Sequence, residues 1–342
     1  MFITKEKGKL IVLGVFVVFS TFFISKTEAI ILGSDLSLSI TPNIPGPNKE
    51  VVMKVEYSGI DLNRSEISWF KNEILQKKGV GERQFSFISG GLGTSDFIEV
   101  QIMAPSGKVL TQNVTIAPAD VDLLWQTDSS KPPFYKGKPL NSHRSVVTFV
   151  AMPNFIDTNG NKLDPKDLFY EWKRNFEAIG NSTNGFGKNS LVIDQAKFFR
   201  KNVITVRVSD KDGIFKAEKN VSLTNHDPKI LFYEKDPLLG TIYENAVVGD
   251  FTLKNEEITL VAEPFSFSGD DVYNNNIIYS WFLNGKKIQN LTENLKEITL
   301  KQGSDVEKGV SSIRATFRNN KRVLQGASAD VRVLFDKENK TF

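Results

Sequence analysis

The sequence predicts an all-β fold of three tandem β-sandwich modules, and three observations predict it. Short apolar runs alternate with polar residues at period 2, about seven runs per hundred residues, and Gly, Pro, Asn and Asp punctuate them. No long stretch shows a helical period. Third, Ile67-Ser68-Trp69-Phe70-Lys71-Asn72, Tyr170-Glu171-Trp172-Lys173-Arg174-Asn175 and Tyr279-Ser280-Trp281-Phe282-Leu283-Asn284 each set Trp three residues before Asn. The Trp residues are 103 and 109 positions apart, which is the length of one sandwich module.

The chain opens on a different segment. Lys5, Lys7 and Lys9 precede an apolar run from Leu10 to Ile24, and Lys26-Thr27-Glu28-Ala29 follows. A basic start, an apolar run shorter than a spanning helix prefers, and a small residue after it read as a secretory signal over residues 1–29. Cleavage near Ala29 is one outcome; an uncleaved signal anchor through residues 10–25 is the other. Residues 1–29 carry four Lys and two Glu, so their removal leaves the chain close to neutral. A near-neutral exported chain gives no electrostatic case for nucleic acid, and the membrane is reached only through the N-terminal segment.

The first module is placed at 35–117. Leu36 to Ile40 alternates, Pro45-Gly46-Pro47 turns, Val51–Val55 returns, and Ile98–Ile102 pairs through a Pro105–Gly107 turn with Val114–Ile116. The second, at 120–225, closes on Ile204–Val208, the turn Asp210–Gly213 and Val221–Leu223. The third, at 228–336, closes on Ile313–Phe317, the turn Asn319-Asn320 and Val331–Val333. Modules two and three share two further stretches. Phe134-Tyr135 with Pro139-Leu140 resembles Phe232-Tyr233 with Pro237-Leu238, and Val150-Ala151 with Pro153 resembles Val261-Ala262 with Pro264. The linkers at 117–119 and 225–228 are short and carry Pro, so a stiff, elongated rod is expected.

The chain has no Cys, which excludes disulfides, thiolate metal sites and Cys nucleophiles. Each module therefore depends on its apolar core, and Trp69, Trp172 and Trp281 are expected in the three cores. Trp125 lies near the boundary of modules one and two and is expected at an interdomain contact. His143 and His226 are the only histidines and have no spacing partner. Gly90-Gly91-Leu92-Gly93-Thr94 lacks the Lys of a phosphate loop and leads into a strand, so a connecting loop is expected. Asp157, Asn159, Asn161 and Asp164 place oxygens as the start of a calcium loop does, but Gly160 is early and no closing Glu follows. A plain Asn-Gly turn is the competing reading, and whether a metal binds stays open at this level. No cofactor and no catalytic residue are expected.

Ser280-Trp281-Phe282-Leu283-Asn284-Gly285-Lys286-Lys287-Ile288 resembles the third strand and following turn of immunoglobulin-like modules in bacterial surface proteins. It is similar to PKD-type modules too, without the Phe-Gly-Asp usual after their Trp. Through Val121–Trp125, Pro133–Gly137 and Ile230–Gly240 the chain also resembles exported proteins of candidate-phyla (Patescibacteria) bacteria. These resemblances imply immunoglobulin-like sandwiches on an exported protein, and no activity. The expected function is a non-catalytic structural or interaction protein of the cell envelope or surface, with an unknown protein or glycan partner. The alternative is a carbohydrate- or peptidoglycan-binding protein, for which Phe134, Tyr135, Phe232 and Tyr233 are candidate platform residues.

Overall fold

The computed structural model describes residues 36–132, 134–180, 182–194, 201–253, 256–289, 295–303 and 308–336. The signal or anchor segment lies outside them. The described residues form one compact unit and fold as immunoglobulin-like sandwiches around three hydrophobic cores. In the first, Ser37–Thr41, Glu50–Glu56 and Gln84–Ile88 make one sheet. Glu66–Lys71, Ile74–Val80, Asp96–Met103 and Val109–Pro118 make the facing sheet. The second sandwich sets Asp120–Thr127, Val146–Asn154 and Ser190–Asp194 against Phe169–Arg174, Lys201–Ser209 and Phe215–Thr224. The third sets Lys229–Asp236, Glu257–Phe265 and Glu297–Lys301 against Ile277–Leu283, Lys308–Asn319 and Gly326–Asp336. Alternation fixes which face of each strand is buried: in Val146–Asn154, Val147, Phe149, Ala151 and Pro153 point inward, while Val150, Met152 and Asn154 point to solvent.

The repeated Trp and Asn have a common geometry in all three. Trp69, Trp172 and Trp281 are each 0% exposed. Their indole N–H groups donate to main-chain carbonyls in the segment that follows: Glu82 at 2.8 Å, Lys188 at 2.9 Å and Leu295 at 3.0 Å. A buried indole needs such a partner, because an unpaired N–H in a core is costly. Asn72, Asn175 and Asn284 sit at φ 50°, 49° and 49°, left-handed backbone that Asn tolerates. Each main-chain N–H bonds the carbonyl of a residue on the neighbouring strand, Phe97, Val203 or Ser312. Each side-chain oxygen then accepts from that same residue's N–H, at 2.8, 2.9 and 2.8 Å. The motif thus places one large ring in each core and ends its strand with a side chain that extends the ladder by one rung.

One internal match does not hold as structural equivalence. Phe232 and Tyr233 lie on a strand, whereas Phe134 lies in the loop after Asp120–Thr127. By strand pairing, Tyr233 opposite Val261 corresponds to Leu124 opposite Val150. The two stretches are not counterparts but contact partners, as the junction described below shows.

Candidate functional site

The Gly-rich loop, the calcium-loop candidates, the two histidines and the aromatic stretches lie at or beside the two places where modules meet. At the first, strand Val109–Pro118 gives way to Asp120–Thr127 across Ala119 alone, and Ala119 is buried. Ala117 and Pro118 pair in parallel with Phe215 and Lys216. The inner sheets of modules one and two therefore join into one nine-stranded sheet. The Gly-rich 90–94 loop packs on the second module here. A Cβ at Gly93, where φ is +79°, would lie 3.1 Å from Ile156 Cγ2 and 3.2 Å from the Asp157 carbonyl oxygen. Glycine is required there both by the left-handed backbone and by the close approach.

The calcium-loop candidates adjoin this contact, and the fold uses their oxygens in two separate motifs. Asp157 Oδ1 accepts from the N–H groups of Asn159 at 2.9 Å and Asn161 at 2.8 Å, and Oδ2 accepts from Asn161 Nδ2 at 3.3 Å. The Asn161 N–H foremost, with its neighbours, holds the Asp157 carboxyl below the usual carboxylate range. Asp164 caps the turn Pro165–Asp167, accepting from Lys166 N at 2.9 Å. Asp61 does the same for Leu62–Arg64 in the first module, accepting from Asn63 N at 3.0 Å. Both stand eight residues before their Trp, so Asp164 belongs to the repeated module plan. Among the described residues, no group of three or more His, Asp or Glu is placed to hold a metal ion.

The second junction is a buried polar network. Arg322 Nη2 lies 3.1 Å from Asp128 Oδ2 and its Nε 2.9 Å from Asp271 Oδ2, so it bridges modules two and three. Its Nη1 donates to the Arg144 carbonyl. Gln325 is 1% exposed. Its Oε1 accepts from Ser268 N and Asn319 Nδ2, both at 2.9 Å, and its Nε2 donates to the His143 carbonyl at 2.9 Å. Ser130 N donates to the Phe267 carbonyl at 2.6 Å and Gly269 N to the Asp128 carbonyl at 2.7 Å. A Cβ at Gly269 would sit 2.9 Å from that carbonyl oxygen, so again a glycine permits the approach. Burial pushes the Asp128 carboxyl above the ordinary value, with Arg322 offsetting part of it. Burial acts the same way on Asp271, but Asn319, Arg322 and Asn276 outweigh it and hold that carboxyl low.

An aromatic cluster seals the side of this junction. Phe134 stacks on Tyr243 at 4.3 Å and meets Tyr233 edge-on at 5.9 Å. Phe232 and Tyr233 are buried, so two of the four candidate glycan platform rings are taken up by packing, while Phe134 stays part-exposed on top of Tyr233. Tyr135 remains on the rim of a groove of about 400 Å³ beside Leu140 and His226. His143 and His226 also flank this junction: His143 Nε2 is 3.4 Å from the exposed Asp227, and His226 N donates to the Asn141 carbonyl. Trp125 differs from expectation. It packs against the second module's own core, with Lys138 Nζ 5.8 Å from its ring, because its strand position turns it inward while Leu124 and Gln126 face out.

No protein-family model and no curated protein matches this sequence. Among solved structures, three N-terminal domains of the Highly Immunogenic Outer Capsid protein of bacteriophage RB49 are similar at 12% identity and TM-score 0.26, over 89% of this chain and 98% of that one. The central fibronectin-III array of RIM-binding protein is similar at 12% identity and TM-score 0.27, over 88% and 95%. SGBP-B of Bacteroides ovatus, solved with a mixed-linkage heptasaccharide, is similar at 11% identity and TM-score 0.21, over 87% and 70%. At these identities and scores the likenesses carry nothing about ligand, partner or location.

Proposed function

We propose that this chain is an exported, non-catalytic structural or interaction protein of the cell envelope or surface. Its modules at 35–117, 120–225 and 228–336 act as one stiff element that presents sheet faces and loop tips. The observation that carries this reading is the construction of the junctions. One joins two strands through the single buried residue Ala119 and merges a sheet of each module into one. The other commits a partly buried Arg, two Asp and a buried Gln to holding modules two and three together. A flexible string of binding modules has no use for either device, whereas a spacer or scaffold needs both. Export rests on residues 1–29, cleaved or retained as an anchor; among the described residues, no helix is long and apolar enough to cross a membrane. Protease treatment of intact cells, with the protein's N-terminus read by mass spectrometry, tests the reading. Loss of the protein from intact cells supports it; full protection of every module would overturn surface display.

Glycan binding stands as the second reading because of one cleft. A space of about 550 Å³ opens at one end of the second module, lined by Leu163, Asp167, Phe186, Asp212 and Phe215 among others. Phe186 is exposed and meets Phe169 edge-on at 5.4 Å, leaving a ring face on which a sugar could stack. A polysaccharide panel compared between the native chain and Phe186→Ala decides it: retention on a polysaccharide that the variant loses supports glycan binding.

A further inference from the structure

The outer face of the second module's three-stranded sheet carries an exposed apolar strip among polar neighbours: Asp122 stands opposite Met152, and Gln126, Asn154 and Asp194 also face out. Leu124 faces Val150 across the strand pair, Met152 stands two residues along, and Val192 lies opposite Thr148 on the other side. These four side chains point to solvent. The same chain shows how such a face is satisfied. In the third module the counterpart pair is Tyr233 and Val261, and each is only 4% exposed. Neither belongs to the core beneath; Phe134, carried on a proline-led loop of the neighbouring module, and Tyr243 close over Tyr233 from outside. So the two faces are equivalent by strand position, and one is covered by an apolar loop tip while the other is open.

The chain also carries a second proline-led apolar tip, which is exposed. Asp236-Pro237-Leu238-Leu239-Gly240 turns between Lys229–Asp236 and Gly240–Thr241. Leu238 is 95% and Leu239 81% exposed. The turn is held for display: Asp236 Oδ1 accepts from Leu238 N at 2.7 Å and Leu239 N at 2.9 Å. Two adjacent leucines fixed on a hydrogen-bonded turn lose little entropy on docking, which is what preorganised contacts gain. Single exposed apolar residues are ordinary, but a rigid apolar tip and an exposed apolar strip in one chain are complementary.

We propose that the Leu238–Leu239 tip of one copy docks on the Leu124, Val150, Met152 and Val192 face of another. Tip and face are different surfaces, so the contact is heterologous and each copy can engage two neighbours, giving a ring or an open row. The contact is small against the ~1,000 Å² that a stable interface needs. It therefore operates where copies are crowded on an envelope and neighbours act together. This deepens the interaction reading above and rests on it, naming the partner as a second copy.

The absence of Cys from the sequence makes the test direct. Two differently tagged full-length copies are co-expressed in exporting cells, one with Leu239→Cys and the other with Met152→Cys, and oxidised. The expected result is a mixed disulfide dimer at least tenfold above a control pairing Leu239→Cys with Lys219→Cys, and its loss when Leu238→Asp is added to the first copy. A yield equal to the control overturns the proposal. A second measurement does not depend on the cysteines. Copies bearing Leu238→Asp with Leu239→Asp, and copies bearing Leu124→Asp with Met152→Asp, are compared by sedimentation with the native chain. Each variant alone should be monomeric; mixed, they should form a dimer and stop there, because only one tip and one face remain intact. Native protein that stays monomeric to about 1 mM, the weak end of specific association, overturns the proposal too. The protease experiment stands apart from both, so a display protein that does not self-associate is recognised as such.

Discussion

Replacing Arg322 by Ala removes the guanidinium that pairs with both Asp128 and Asp271 across the second junction. The side chains of Arg322 and Asp128 are each 18% exposed and that of Asp271 8%, so this is not a surface pair. Breaking a buried ion pair from one side costs ~3–5 kcal/mol, most of it the penalty of leaving the opposite charge without a partner. Some water reaches Arg322 and Asp128, and Asn319 still donates to Asp271 at 2.8 Å, which places the expected loss at the lower end, about 3 kcal/mol. The assay is urea unfolding followed by Trp fluorescence, at pH 7 and again near pH 3. In the native chain the two carboxyls act in opposite senses. Asp128, raised above its ordinary 3.8, is protonated more readily when folded, so it adds stability as pH falls. Asp271 is held low, so the stability it contributes is present above about pH 4 and is lost as pH falls through its folded pKa. Without Arg322 both carboxyls move upward, and the deficit of the variant should be largest at neutral pH and shrink as pH falls through the raised pKa of each carboxyl. A loss under ~0.5 kcal/mol at pH 7, the size of an exposed pair, would refute the claim that this network fixes the junction.

Three further outcomes follow from the geometry. Gly269→Ala forces a Cβ within 2.9 Å of the Asp128 carbonyl oxygen and should cost ~1–3 kcal/mol in the urea midpoint of modules two and three, leaving the first module's transition in place. Trp172→Ala should lose ~3–5 kcal/mol, whereas Asn175→Gly, which keeps the left-handed backbone but loses one bond to Val203 N, should lose about 1 kcal/mol; equal losses would contradict the roles assigned to the pair. Calcium should leave the melting temperature unchanged, since the Asp157 and Asp164 oxygens are engaged in separate turns, and a saturable upward shift in a calcium titration would show a site there.

What could be read from the sequence was what local pattern specifies. Period-2 alternation located strands such as Ile98–Ile102 because one face of each is buried and the other wet. The Trp–Asn spacing marked the modules because the ring and the left-handed Asn serve one local geometry each. The junctions were not legible. Arg322, Asp128 and Asp271 are far apart in the sequence, and each reads there as an ordinary surface charge. Gly93 and Gly269 look like loop glycines until the carbonyl each one faces is known. Phe134 with Tyr135 matched Phe232 with Tyr233 by residue type, yet one is a loop and the other a strand, and type alone cannot separate a repeat from a contact. Position in the chain points Trp125 at a junction, but the alternation of its own strand turns it toward the second core.

The central claim is that the junctions hold three modules as one stiff body. It is tested most directly by pulsed dipolar spectroscopy on spin-labelled double-cysteine variants, Gln112→Cys with Lys219→Cys across the first junction and Lys219→Cys with Lys286→Cys across the second, in a chain with no Cys of its own. Each pair should give a single narrow distance distribution, and Arg322→Ala should broaden the second and leave the first unchanged. Broad distributions across both junctions in the native chain would contradict the account and make the modules independent beads.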